Sequence, residues 1–185
     1  MLVTLLLFAN ILCQAQSGTF VDNRDGKIYK TVQIGSQVWM AENLAFMDFS
    51  SEAVCYSNDA SLCEKYGALY TWKAALAACP SRWHLPSKME VDTLLNNTGG
   101  DKKAVYKALI AGGSSGFEAF LGGYVRVHGQ PRGYFKDIGK IAYFWTSSAK
   151  RISANADCFQ FTLIKTAGTN AGEKNWLMSV RCVKD

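Results

Sequence analysis

Apolar and polar residues change rhythm several times along this chain. Residues 2–12 form an apolar run broken only by Thr4 and Asn10. Such a run is too short for a membrane-spanning helix, which needs ~20 apolar residues, but it suits the core of a secretory leader. A polar, linker-like stretch at 14–19 follows, then a turn cluster at Asp22, Asn23, Arg24, Asp25 and Gly26. Residues 27–34 and 37–40 have strand character and are separated by Gly35 and Ser36. Glycine at the first loop position predicts a type II′ hairpin, with Val32 opposite Trp39 as an aromatic and β-branched pair. Residues 42–62 show no period and read as loop.

Helical rhythm begins at 67–79, where alanine and leucine are dense and Pro80 ends the segment. Thr71 is its candidate cap, with Trp72, Ala75, Leu76 and Cys79 at helical spacing. Ser87 and Glu90 make a capping box for a second helix that runs through Leu94 and Leu95 to Gly99 and Gly100. A third, shorter helix is expected over 101–111, with Val105 and Leu109 on one face. From Gly112 onward, glycines separate short apolar and aromatic runs at 117–121, 124–128, 133–135, 141–145, 158–163 and 176–182. These read as strands. The predicted class is therefore α+β: an N-terminal hairpin, two to three helices, then antiparallel strands rather than a βαβ series.

Composition narrows the function classes. At 49% hydrophobic and 19% charged over 185 residues, the chain is neither disordered nor polytopic in a membrane. A net charge of +5 is spread along the sequence and points to no nucleic-acid partner. The leader reading divides the chain into a signal peptide at 1–15 and one domain at 16–185. Small residues at Cys13 and Ala15 favour cleavage before Gln16. The rival reading is a lipid on Cys13, which makes an N-terminal anchor the sole membrane attachment expected. Either route places the protein outside the cytoplasm, secreted or on the outer cell surface, where disulfides persist.

Removal of Cys13 leaves Cys55, Cys63, Cys79, Cys158 and Cys182, an odd number that implies an unpaired thiol. Cys55 and Cys63 flank a polar loop that a local bridge can close. Cys79 reads as a core or disulfide cysteine. Tight cysteine pairs with histidine partners are absent, so no metal or other cofactor is expected. Asp22, Asn23 and Asp25 read as a turn rather than a calcium loop. The glycines form no phosphate-binding fingerprint. His84 reads as a structural histidine bonding backbone at a tight link, His128 as an exposed loop residue, and Cys158 as buried. No catalytic residue is assigned. The strongest hint of activity is a set of aromatics beside Gly- and Asn-rich loops: Tyr124, Tyr134, Tyr143 and Trp176, with Trp145 read as core. Aromatic faces with amide side chains suit sugar or protein recognition.

Several stretches are similar to one family. Asp25-Gly26-Lys27-Ile28-Tyr29-Lys30-Thr31-Val32-Gln33-Ile34-Gly35, followed by Gln37-Val38-Trp39-Met40-Ala41-Glu42-Asn43-Leu44, resembles the opening motif of the Fibrobacter succinogenes major paralogous domain. So do Tyr66-Gly67-Ala68-Leu69-Tyr70-Thr71-Trp72, Cys79-Pro80-Ser81-Arg82-Trp83-His84-Leu85-Pro86-Ser87, Leu121-Gly122-Gly123-Tyr124, Tyr143-Phe144-Trp145-Thr146-Ser147-Ser148 and the ending Ser179-Val180-Arg181-Cys182-Val183-Lys184-Asp185. The resemblance spans about residues 19–185. It implies a bacterial surface or secreted protein with a C-type-lectin-like fold, a bridge between Cys79 and Cys182, and a second between Cys55 and Cys63.

The resemblance carries no settled activity. Sugar-binding lectins of this fold hold calcium through motifs that Gln130-Pro131-Arg132 and Asn175-Trp176-Leu177 do not reproduce. The expected role is a non-enzymatic binding or adhesion module for a glycan or a surface protein. Candidate ligand residues are Tyr124, Tyr134, Asn155, Asn170, Asn175 and Trp176. The alternatives are an enzyme or enzyme accessory on a fold like that of the formylglycine-generating enzyme, and a purely structural surface module.

Overall fold

The hairpin at 28–40 lies at the heart of the first of two main sheets. The computed structural model describes residues 16–48, 52–127, 134–149 and 152–185. The leader at 1–15, His128, and Gln130, Pro131 and Arg132 lie outside the described residues. Strands β2 (Ile28–Ile34) and β3 (Gln37–Met40) pair antiparallel with Val32 opposite Trp39. Gly35 takes φ +61°, the left-handed value that the first position of a type II′ turn needs. The stretch read as a linker is instead in part a strand. β1 (Ser17–Val21) pairs antiparallel with β2, because Phe20 stacks on Tyr29 across the pair.

The segment read as loop at 42–62 holds β4 (Ala53–Val54), a 3₁₀ turn at Tyr56–Asn58 and helix α1 (Ala60–Tyr66). Two turns are too few to show a period. The helix is held by an Asp59 cap and by the Cys55–Cys63 disulfide. Residues 67–79 divide into β5 (Leu69–Tyr70) and α2 (Trp72–Ala78), with Thr71 capping through its hydroxyl. Leu76 is exposed, and the small Ala75 and Ala78 face the core instead. After β6 (Trp83–His84) come α3 (Lys88–Asn97), with the Ser87/Glu90 capping box complete, and α4 (Lys102–Leu109). Four α-helices are thus present among the described residues, against the two to three expected.

The remaining strands are β7 (Tyr124–Arg126), β8 (Tyr134–Lys136), β9 (Ala142–Trp145), β10 (Asn155–Phe161), β11 (Ala167–Glu173), β12 (Met178–Ser179) and β13 (Val183–Lys184). The first sheet has the order β1-β2-β3-β13-β6, the second β11-β10-β9-β12-β5-β4, and β7-β8 form a separate ribbon. The class is α+β, with mostly antiparallel pairing. Alternation in the second sheet sends Phe144, Phe159 and Phe161 to one face, where they meet Val91 and Leu94 of α3 and Val105 and Leu109 of α4. Trp145 and Cys158 point the other way, into a second core with Ala75 of α2 and Met178. Trp145 is fully buried, as expected, and its indole donates to the Tyr70 carbonyl at 2.8 Å.

The expected strand over 176–182 is divided because the chain there leaves one sheet for the other. β12 belongs to the second sheet and β13 to the first. Between them Arg181 points inward and is fully buried. Its guanidinium donates to the carbonyls of Met40 and Glu118 at 3.0 Å, and to Phe117 O and Asn43 Oδ1. The Phe117 ring lies 4.5 Å beneath it. No strand forms at 117–121 for the same reason: Arg181 takes the carbonyls of Phe117 and Glu118, and Glu118 has φ +54°. One isolated bridge, Ala119 to Ile110, remains there. The disulfide Cys79–Cys182 fastens the end of α2 to this crossover.

Candidate functional site

The ribbon β7-β8 is placed by backbone bonds on both sides. Gly123 N donates to Ile141 O at 3.0 Å, beside the start of β9. Val125 and Leu177 exchange N–H···O bonds of 2.9 and 3.0 Å just before β12. A Cβ on Gly123 would fall 2.9 Å from the Ile138 nitrogen, and its φ is +69°, so glycine alone allows this close approach. The outcome is that Tyr124 and Arg126 flank Trp176, which the turn after β11 presents.

Tyr124 stacks on Trp176 with ring centroids 5.6 Å apart and meets Tyr143 edge-on at 5.0 Å. The Arg126 guanidinium carbon lies 5.0 Å from the Trp176 ring centre. Tyr143 of β9 is registered against Gln160 of β10, and Gln160 accepts a 2.8 Å bond from the Asn170 amide of β11. Side chains alternate across a sheet, so Tyr143, Gln160 and Asn170 share one face. A continuous row therefore crosses three strands and the ribbon: Asn170, Gln160, Tyr143, Tyr124, Trp176, with Arg126 at its end.

The row mixes π-faces, amides and hydroxyls. Burial pushes the Tyr124 phenol above its usual value, with Asp137 adding to the shift and Arg126 opposing it. Burial likewise raises Tyr143, so both stay protonated donors at neutral pH. The Trp176 indole N–H and the Arg126 Nε–H are buried without an acceptor among the described residues. Such donors are costly unless a partner reaches them.

Of the residues singled out by sequence, Tyr124, Trp176 and Asn170 are brought into this row. Tyr134 is exposed and lies opposite Arg126 in the ribbon. Asn155 pairs with Glu173 at the far end of β10-β11, three positions from Asn170 and so on the other face. Asn175 is exposed in the turn before Trp176. Gln160 and Arg126 were missed. Along 158–163 Cys158, Gln160 and Thr162 alternate with Phe159, Phe161 and Leu163, which marks Gln160's face, but nothing local shows which neighbours it meets.

Other chemistry lies elsewhere. Cys158 is the free cysteine among the described residues and is fully buried, and burial pushes its thiol up to about 12. His84 does not bond backbone as expected. Its ring nitrogens meet Asp185 Oδ1 at 2.7 Å and Glu90 Oε1 at 2.8 Å, because β6 brings it between the capping box and the end of β13. Asp22 is buried and paired with Arg24 at 2.7 Å. Among the described residues no group of three or more His, Cys, Asp or Glu could hold a metal ion, and no helix is long and apolar enough to cross a membrane.

Fold and site together define an α+β domain braced by two disulfides, carrying an aromatic and amide row on one sheet face. The chain belongs to the Fibrobacter succinogenes major domain family, whose pattern matches residues 32–184. No curated protein and no solved structure matches it.

Proposed function

We propose that this protein is an exported, non-enzymatic binding module with a C-type-lectin-like fold, and that it recognises a glycan through the row from Asn170 to Trp176. The observation that carries the reading is the juxtaposition of a Tyr124–Trp176 stack with an amide pair and two unpartnered donors. Aromatic rings take the apolar face of a sugar, and amides, phenols and a guanidinium match its hydroxyls. Two disulfides support an oxidising compartment outside the cytoplasm. The protonated, enclosed thiol of Cys158 supports a role without thiol chemistry. The test is a glycan array probed with the mature protein and with Trp176→Ala. Selective glycan signals that vanish in the variant are expected. Signals that persist unchanged in Trp176→Ala would refute the row as the binding face.

A further inference from the structure

A separate cavity lies against the first sheet, lined by none of the residues of the row. β1 and β6 are the first and fifth strands of that sheet, so a flat sheet would hold them about 19 Å apart, four spacings of ~4.8 Å. Yet Phe20 of β1 and Trp83 of β6 stack with centroids 4.5 Å apart. The sheet is therefore curled, and these two rings arch over one of its faces. Beneath and beside the arch is a cavity of about 370 Å³. That volume falls in the lower part of the range for small-molecule sites, ~300–1,000 Å³.

Its chemistry is one-sided. The charged residues lining it are Arg82 and Lys184, and no acid lines it. Neither cation has an ion pair or side-chain hydrogen bond among the described residues. The polar remainder consists of Thr19, Thr31, Ser81 and Asn23. The Thr31 hydroxyl has no partner among the described residues, although the residue is only 8% exposed. Gly18 opposite it leaves that oxygen accessible, since a Cβ there would lie 3.0 Å from it. Val21, Val38 and the two rings supply the apolar wall.

We propose that this cavity binds a small hydroxylated carboxylate of the uronic-acid kind. Two unpaired cations select an anion, the hydroxyl and amide groups match a polyol, and the volume admits about one sugar ring. The lining residues from β1 and β2, Thr19, Phe20, Val21 and Thr31, precede residue 32, where the family match begins, and half of the whole lining lies within the match. Both cations, Arg82 and Lys184, lie within the matched residues, and the cavity shares no residue with the row at Trp176.

The test is an NMR titration of the folded protein with sodium galacturonate, using galactose and sodium acetate as comparison ligands. Saturable shifts at Thr31, Val38, the Trp83 indole and Lys184 are expected with galacturonate and not with galactose. Acetate is expected to bind more weakly than galacturonate. The exposed pair Arg82→Gln with Lys184→Gln should weaken galacturonate at least tenfold, while Trp176→Ala leaves it unchanged. Absence of saturable shifts at these residues, equal binding of galactose or of acetate, or undiminished affinity in the double variant would overturn the proposal.

Discussion

Replacing Arg181 with methionine probes the crossover on which both sheets depend. The guanidinium satisfies four acceptors: three backbone carbonyls and Asn43 Oδ1. Each acceptor orphaned in the interior costs about 1–3 kcal/mol. Against this stands the relief from burying a charge, which is several kcal/mol per ion. Arg181 is fully buried, and that burial pulls its pKa down to about 9 against the opposing pull of Glu42 and Glu118. Four neutral acceptors orphaned outweigh the relief of one buried charge, so Arg181→Met should lose about 3–5 kcal/mol. Arg181→Lys keeps the charge without the planar fork and should recover less than half of the loss. Urea unfolding followed by tryptophan fluorescence measures both variants. A loss below ~1 kcal/mol in Arg181→Met, or full recovery by lysine, would refute the role assigned to the fork.

Further outcomes follow from other residues. Cys182→Ala should cost roughly 4–5 kcal/mol on the chain-entropy model, since the Cys79–Cys182 bridge closes a separation of 103 residues; thermal unfolding checks it, and an unchanged midpoint would contradict it. Cys158 should resist alkylation in the native protein and react fully in denaturant, as peptide mass spectrometry would show; native labelling would mean the second core is open. For His84, burial alone lowers the pKa, but the bonds to Asp185 and Glu90 outweigh it and hold the pKa above its ordinary value. A raised folded pKa contributes stability that is complete below the unfolded value of ~6.5 and is lost as pH rises through the folded value. Wild-type stability should therefore fall relative to His84→Ala as pH rises above about 6.5, and parallel pH profiles would refute the ion-pair role.

Local signals carried the parts of the fold that rest on local physics. The capping box at Ser87 and Glu90, the cap at Thr71, the Gly35 turn and the Val32–Trp39 register are all set by residues a few positions apart. What escaped were elements defined by distant partners. β1 is a strand because β2 and the Phe20–Tyr29–Trp83 stack receive it, not because its own residues alternate. Residues 117–121 are apolar enough for a strand, but a side chain more than sixty positions away takes two of their carbonyls. The same limit applied to the site. Aromatics and asparagines drew attention to this part of the chain, yet Asn155 and Asn170 fall on opposite faces by a parity visible only once the register is known. Arg126 and Gln160 gained their place from partners in other strands.

The reading of the row stands or falls on affinity measured residue by residue. Isothermal titration of the strongest array glycan against wild-type, Trp176→Ala, Tyr143→Ala and Asn155→Ala makes the comparison within one sheet. A loss of tenfold or more is expected for Trp176→Ala and Tyr143→Ala, with Asn155→Ala within about twofold of wild-type, because stacked rings carry about 0.5–1.5 kcal/mol beyond the area they bury. Equal affinity across all four proteins, or a loss confined to Asn155→Ala, would contradict it.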